Sequence, residues 1–303
     1  MKMRKYYFKK IENCEMCNSP ASNHEILGQR LNKPQGFRPK KKYGIAVGVL
    51  KCKVCNLIFS NPLPIPNSVQ DHYDIKPENY WSEDYFIWNP ELFSYEINEL
   101  KELMLVKEGM KALDVGAGIG KVMKSLNLSG FEAYGLEPSK AFYQRAIEKM
   151  NINAESLKFG KIEDLDYEKD FFNFISFGAV FEHLYEPSKC LSKALSWLKK
   201  DGIIHIEVPS SNWLMSKIMN SYYKLLGLNY VTNLSPMHSP FHLYEFDIKS
   251  FEELGKKLNF TVIKTRVNVG SIYYLPKFIH PLLKRYMNKT NKGMQLTVYI
   301  KKN

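Results

Sequence analysis

The stretch from residue 111 to residue 208 constrains this chain most, because strand-like and helix-like segments alternate along it and a glycine turn stands at the first corner. Lys111-Ala112-Leu113-Asp114-Val115 is apolar, Gly116-Ala117-Gly118-Ile119-Gly120 turns, and Lys121 to Leu126 begins a helix. Glycines let a backbone approach a ligand without side-chain clash, and the helix start that follows offers unpaired N–H groups. A second strand, Phe131 to Leu136, ends in Glu137-Pro138-Ser139; Ser139 to Lys149 reads as a helix, Ile152 to Phe159 as a strand and Gly160 to Leu165 as a polar loop. Phe171 to Phe177 is a nearly continuous apolar strand, Gly178 to Pro187 a loop, Ser188 to Leu198 a helix, and Asp201-Gly202 a stop before the strand Ile203 to Val208. Strands joined by helices form a parallel sheet that gathers ligands at its carboxyl ends. A dinucleotide fingerprint is G-x-G-x-x-G, whereas here Lys121 takes the place of the third glycine and Asp114 precedes the turn. That disfavours NAD and favours a ligand without a pyrophosphate. Glu137, 23 residues after Asp114, is placed to accept ribose hydroxyls.

Four of the five cysteines form two pairs, Cys14-Glu-Met-Cys17 and Cys52-Lys-Val-Cys55, with Cys190 alone in a helical pattern. Two such turns each present two thiolates to one side and together complete the tetrahedral shell of a closed structural Zn²⁺ site. A redox dithiol or unrelated buried cysteines are the alternatives. Asn18 and Asn56 follow the second cysteine of each pair, where a metal knuckle bends and where Asn tolerates the left-handed conformation. The 34 residues between the pairs exceed the spacing of common zinc ribbons, so either a hairpin such as Gly44 to Lys51 fills them or the loop is partly mobile. Asn61-Pro62-Leu63-Pro64-Ile65-Pro66 reads as a stiff exit from this module.

Residues 1 to 66 are therefore expected to form a zinc-binding module, 67 to 108 a helical connector with the aromatic run Tyr80 to Phe86, and 109 to 303 the nucleotide-binding domain. The net charge of +12 is uneven: residues 1 to 55 hold 13 Lys plus Arg against 3 Glu, the rest 30 against 28. A basic module can meet nucleic acid, an anionic membrane, a nucleotide-sugar or an acidic carrier protein, or can be a solvated face that keeps the chain soluble. No apolar stretch approaches the roughly 20 residues of a membrane helix, and Lys9, Lys10 and Glu12 interrupt any signal peptide. A cytoplasmic location is expected.

Leu113 to Gly120, Glu137, Ile162-Glu163-Asp164-Leu165, Phe181-Glu182-His183-Leu184 and Trp197-Leu198-Lys199-Lys200-Asp201-Gly202, followed by a strand, resemble the successive motifs of class I S-adenosylmethionine (SAM) dependent methyltransferases. The resemblance implies an α/β, Rossmann-like, doubly wound sheet of seven strands, with Phe260 to Val267 and Met294 to Lys301 as the last two, pairing antiparallel. It implies SAM as cofactor, held by Asp114, Gly116, Gly118, Glu137, Ile162 and Glu163. The four-cysteine module and Phe241-His242-Leu243-Tyr244-Glu245-Phe246 further resemble zinc-containing bacterial methyltransferases of sugar, polysaccharide and natural-product modification. Asn173 stands where the family usually has an acid, and Lys161 where some members place an acid near the adenine. The C-terminal extra domain of zinc-containing sugar C-methyltransferases is not expected, which favours an oxygen acceptor.

A sulfonium methyl is already activated, so the protein's task is to place a nucleophile and remove its proton. Histidine suits that step. His183 follows the fourth strand of the domain, and His238 and His242 lie in an insertion, about 209 to 245, expected to form a substrate lid. His183 and His242 are the candidate bases, each with a structural role as the alternative, and Glu182 either orients a histidine or binds substrate. His205 reads as packing. The apolar residues from Trp213 to Leu225 read as core or homodimer packing, and Tyr273 to Phe278 with Lys284-Arg285 as a solvated helix, with contact to a lipid-linked acceptor as the alternative. The expected activity is methyl transfer to a small-molecule, sugar or glycan acceptor. Its rivals are an RNA methyltransferase gripping phosphates with the basic module, and a non-catalytic scaffold, against which the intact glycines, Asp114 and Glu137 argue.

Overall fold

A computed structural model of the chain describes residues 6–31, 45–68, 86–235, 241–272 and 275–303. The N-terminal part holds β1 (Tyr6–Lys9), β2 (His24–Leu31), β3 (Ala46–Cys52), β4 (Ile58–Asn61) and β5 (Leu63–Pro66), and α1 (Ser94–Leu103) follows. The domain after it runs β6 (Met110–Val115), α2 (Lys121–Leu128), β7 (Phe131–Glu137), α3 (Lys140–Met150), β8 (Leu157–Phe159), β9 (Phe172–Gly178), α4 (Pro187–Trp197) and β10 (Leu198–Pro209). Next come α5 (Leu214–Leu225), β11 (Tyr244–Glu245), α6 (Ile248–Leu258), β12 (Phe260–Asn268), α7 (His280–Lys289) and β13 (Gln295–Lys302).

Seven strands form one sheet in the order β12-β13-β10-β9-β6-β7-β8. The five from β8 to β10 are parallel, and β13 runs antiparallel to both neighbours. This is the doubly wound sheet that the alternation of segments predicts. Both faces are covered, which is why β9 reads as a nearly continuous apolar run: Phe172, Ile175 and Phe177 join one core and Phe174 the other. The chain steps outward from β6 through β7 to β8 and then returns to the other side of β6 at β9. That reversal opens a crevice at the carboxyl ends of β6 and β9.

Some boundaries differ from expectation. The strand expected over Ile152 to Phe159 shrinks to Leu157–Phe159. Asn151 ends α3 in the left-handed conformation and Asn153 Oδ1 accepts from Glu155 N at 3.0 Å, so the chain turns there. Ile152 then packs on Gly120 instead of pairing. Asp201-Gly202 does not stop the chain but forms the irregularity inside one long strand, β10. Of the hairpin expected over Gly44 to Lys51, Gly44 lies outside the described residues, and β3 is one arm whose partner is β2, with His24 opposite Cys52. The proline-rich exit is the strand β5, paired with β1.

The second sheet has the order β11-β4-β3-β2, so its outer strand comes from residues 244–245, far along the chain. Tyr244 pairs with Phe59, and Ser60 N donates to Leu243 O at 2.9 Å. On the opposite edge β2 meets the insertion, with Gln29 N donating to Asn229 O at 2.7 Å. Cys14, Cys52 and Cys55 share one apolar core with Phe177, Phe181, Phe246 and Phe251. Helix α1 is fixed to the sheet by charge: Arg266 Nη2 lies 2.6 Å from Glu96 Oε1, Arg266 Nε 3.2 Å from Glu99 Oε2, and Tyr299 donates to Glu99 at 2.9 Å. The rest of the expected connector, residues 69–85, lies outside the described residues, as do His72, His238, Tyr273 and Tyr274.

Candidate functional site

The glycine turn leaves β6 at the crevice. Gly116, Gly118 and Gly120 all have positive φ, of 76°, 56° and 80°, a backbone that only glycine adopts without strain. Gly116 N and Ala117 N both donate to Leu136 O at 2.8 Å, which ties the turn to the end of β7. Glu137 completes the tie: one carboxylate oxygen accepts from Gly118 N at 2.7 Å and the other from Ser139 N at 2.7 Å. Each oxygen keeps further lone pairs for ribose hydroxyls. Burial raises Glu137 to about 7 against the pull of these two donors. Burial, and then the Glu137 charge, raise Asp114 to about 8. Gly160 N donates to Glu137 O at 3.0 Å, so the loop carrying Ile162 and Glu163 hangs from the same residue. Ile162 is buried beneath it. Lys161, where some family members place an acid, pairs with Asp164 at 3.2 Å. Asn173 Oδ1 takes over from an acid by accepting from Lys111 N at 3.0 Å and Lys199 Nζ at 3.3 Å.

Across the crevice the loop after β9 carries Val180, Glu182 and His183. A Cβ on Gly116 would lie 2.4 Å from Val180 Cγ2, so the loop rests directly on the glycine turn. Glu182 is 2% exposed, with Oε1 4.0 Å from His183 Nε2 and 3.9 Å from His242 Nε2. The two imidazoles meet edge to face at 4.8 Å. His183 Nδ1 lies 2.8 Å from Phe241 O. A carbonyl only accepts, so Nδ1 carries the proton and Nε2 is the bare nitrogen. Burial lowers His183 to about 4 and raises Glu182 to about 8, which makes both neutral near pH 7. His242 is brought there by β11, since Leu243 N donates to Glu182 O at 2.9 Å while Leu243 O accepts from Ser60 N. His205 is buried in β10 with Nδ1 3.1 Å from Ser176 Oγ.

The four paired cysteines converge. Cys14 Sγ and Cys55 Sγ are 3.5 Å apart, Cys17 Sγ and Cys52 Sγ 3.6 Å, and all four lie within 4.8 Å of one another. A tetrahedral zinc with bonds of about 2.3 Å sets sulfurs about 3.8 Å apart, so the donor set fits the ion. The knuckles are alike: Asn18 N donates to Cys14 O and Asn56 N to Cys52 O, with φ of 59° and 62° at the two asparagines. The hydrogen bond with Cys55, and then burial, push Cys14 up, and the same bond holds Cys55 down at about 6.

Three parts of the site escape sequence reasoning. Val180 shapes the crevice only because β9 lies beside β6. Ser19 Oγ sits 3.2 Å from Cys17 Sγ and 3.1 Å from Cys52 Sγ, a support whose only sequence signal is its place just after a knuckle. Glu245 is buried and accepts from Asn233 Nδ2 and Leu234 N at 2.6 Å each, which pins the insertion to β11.

A family model described as a methyltransferase domain matches residues 89–265. No curated protein sequence matches the chain. Among solved structures, a phosphoethanolamine N-methyltransferase of Haemonchus contortus, in complex with phosphomonomethylethanolamine and S-adenosylhomocysteine, is 16% identical over 81% of this chain and 63% of its own, with a TM-score of 0.53. A sarcosine dimethylglycine methyltransferase, so described provisionally, from Galdieria sulphuraria is 16% identical over 70% of this chain and 86% of its own, TM-score 0.49. A SAM-dependent methyltransferase from Archaeoglobus fulgidus is 16% identical over 73% and 97%, TM-score 0.47. At such identities the likeness is one of fold.

Proposed function

Because the chain belongs to the methyltransferase-domain family, whose model covers residues 89–265, we propose that it transfers a methyl group from SAM to an oxygen of a small-molecule, sugar or glycan acceptor. SAM supplies an already activated sulfonium methyl. The turn Gly116 to Gly120 and Glu137 are the residues to hold it, with Asp114 behind the turn and the loop of Ile162 and Glu163 toward the adenine. The Val180 contact sets the histidine loop beside that turn, and this adjacency is the observation that carries the reading. His183 is aimed by Phe241 O, which leaves Nε2 to take a proton from an acceptor hydroxyl. His242 Nε2 lies on the same Glu182 oxygen and is the second candidate for that role. Glu182 orients the pair. The four-cysteine cluster holds a structural zinc in this reading, and its closed shell leaves no position for substrate.

The test is calorimetry with SAM and S-adenosylhomocysteine, followed by tritiated-methyl transfer to panels of sugars, lipids and RNA. Wild type should bind SAM and label a hydroxyl acceptor. His183→Ala or His242→Ala should lower turnover by about 10²–10⁴ while leaving SAM affinity intact. Absence of SAM binding leaves a relic fold as the answer; labelling of RNA alone reverses the acceptor class. Near-wild-type turnover in both variants moves the proton step to another group.

A further inference from the structure

Two crossovers leave the large sheet at the edge where the crevice opens. Residues 210–243 follow β10, and residues 269–294 join β12 to β13; the strand ends meet where Gln295 pairs with both Pro209 and Asn268. These crossovers carry α5 and α7. Leu214 N donates to Lys292 O at 3.0 Å, and Met215, Ile218, Leu283 and Met287 share an apolar cluster separate from the two main cores. The helices thus pack on each other through that cluster.

Both helices also expose large apolar side chains. Leu225 is 86% exposed, Phe278 83% and Leu282 72%, with Tyr222 and Tyr286 also exposed. Phe278, Leu282 and Tyr286 recur every four residues, so they form one stripe. The two crossovers themselves carry charge of a single sign, with Asp247 the acid whose charge reaches Lys217 on α5. No acidic residue occurs between positions 208 and 244 or between 254 and 303. Lys224, Lys277, Lys284, Arg285 and Lys289 are all exposed, and none pairs with a carboxylate among the described residues. The near balance of charge beyond residue 55 therefore hides two basic crossovers.

Large apolar side chains ringed by cations match the interfacial region of an anionic bilayer, which takes up the apolar groups and neutralises the charges together. A second copy on the same face would set cations against cations. A nucleic acid would satisfy the cations and leave the leucines in water. No described helix is long and apolar enough to cross a membrane, so the contact is peripheral. We propose that the outer face of α5 and α7 docks the protein on anionic membrane surfaces. Docking stands apart from the catalytic reading; only its corollary, an amphiphilic acceptor presented at the membrane, rests on that reading.

The experiment is sedimentation of the full chain with phosphatidylcholine vesicles, with and without phosphatidylglycerol. The protein should pellet only with the anionic vesicles, less so at high salt. Phe278→Ser with Leu282→Ser, and separately Lys284→Glu with Arg285→Glu, should each weaken binding at least about tenfold, with melting temperature and SAM affinity unchanged. The charge pair tests the surface even where the apolar pair alters folding. A chain that binds vesicles but no SAM keeps the docking and loses the corollary. Failure to bind anionic vesicles, binding indifferent to both variant pairs, or a dimer that Phe278→Ser with Leu282→Ser turns into monomer would each overturn the proposal.

Discussion

Gly116 is where the glycine turn and the histidine loop touch, and substitution there separates two costs. Its φ is 76°, and an added Cβ would sit 2.4 Å from Val180 Cγ2. The left-handed backbone costs an alanine roughly 1–2 kcal/mol. Displacing Val180 in a packed site adds about 1–3 kcal/mol. Gly109 supplies the control, with φ of 78° and nothing within 4 Å of an added Cβ. Gly109→Ala should therefore lose only the backbone part and leave SAM binding alone, whereas Gly116→Ala should lose about 2–5 kcal/mol in all and weaken SAM binding, because the loop must move off the turn. Val180→Ala removes both Cγ atoms and leaves Val180 Cβ at 3.5 Å, an ordinary contact. In a double-mutant cycle Gly116→Ala and Val180→Ala should then couple favourably by about 1–3 kcal/mol. Urea unfolding reads the stabilities and calorimetry the SAM affinities. Zero coupling, or a Gly116→Ala protein that matches Gly109→Ala in both measurements, refutes the proposed contact between turn and loop.

Metal analysis should find about one zinc per chain, and Cys52→Ser or a strong chelator should lower the melting temperature, since Cys52 lies in the core shared with Phe59 and Phe246; protein prepared without chelator and free of zinc contradicts the site. Burial raises Glu182 to about 8 when folded against 4.5 when unfolded, so the folded state holds the extra proton and the contribution of Glu182 to stability falls as pH rises between those values. Glu182→Gln should flatten that loss, on the order of a few kcal/mol for a fully buried carboxyl, in urea unfolding at pH 5 and pH 8; an unchanged pH dependence would show that the carboxyl is ionised in the fold.

The parallel strands are legible in the sequence because each is a short apolar run closed by a turn residue, and the cysteines because four thiols at paired spacing have few other uses. Asn18 and Asn56 are legible for a local reason, the left-handed turn after each knuckle. What escapes is non-local. Nothing near Tyr244 announces that its strand partner is Phe59, because a two-residue strand has no periodicity of its own. Glu137 reads as a ribose acceptor, yet its bonds to Gly118 and Ser139 depend on β7 lying beside β6. The convergence of His183 and His242 on Glu182 likewise requires β11 to be docked against β4. The basic N-terminus stands out in a count by segment, whereas the meeting of two acid-free crossovers at α5 and α7 emerges only when they are packed together.

The strand borrowed by the N-terminal sheet also sets an order of events during synthesis. Tyr244 leaves the ribosome about 10–40 s after Asn61 at ordinary rates of elongation. Until then β4 has no partner on its outer edge, although all four cysteines and the β2–β3 pairing are already available. In the proposed zinc reading, metal capture can thus come first, with closure of that sheet waiting for the chain beyond β10. The nascent protein carries an open strand edge through the whole synthesis of its parallel strands, and the segment that finally covers it is the one that delivers His242.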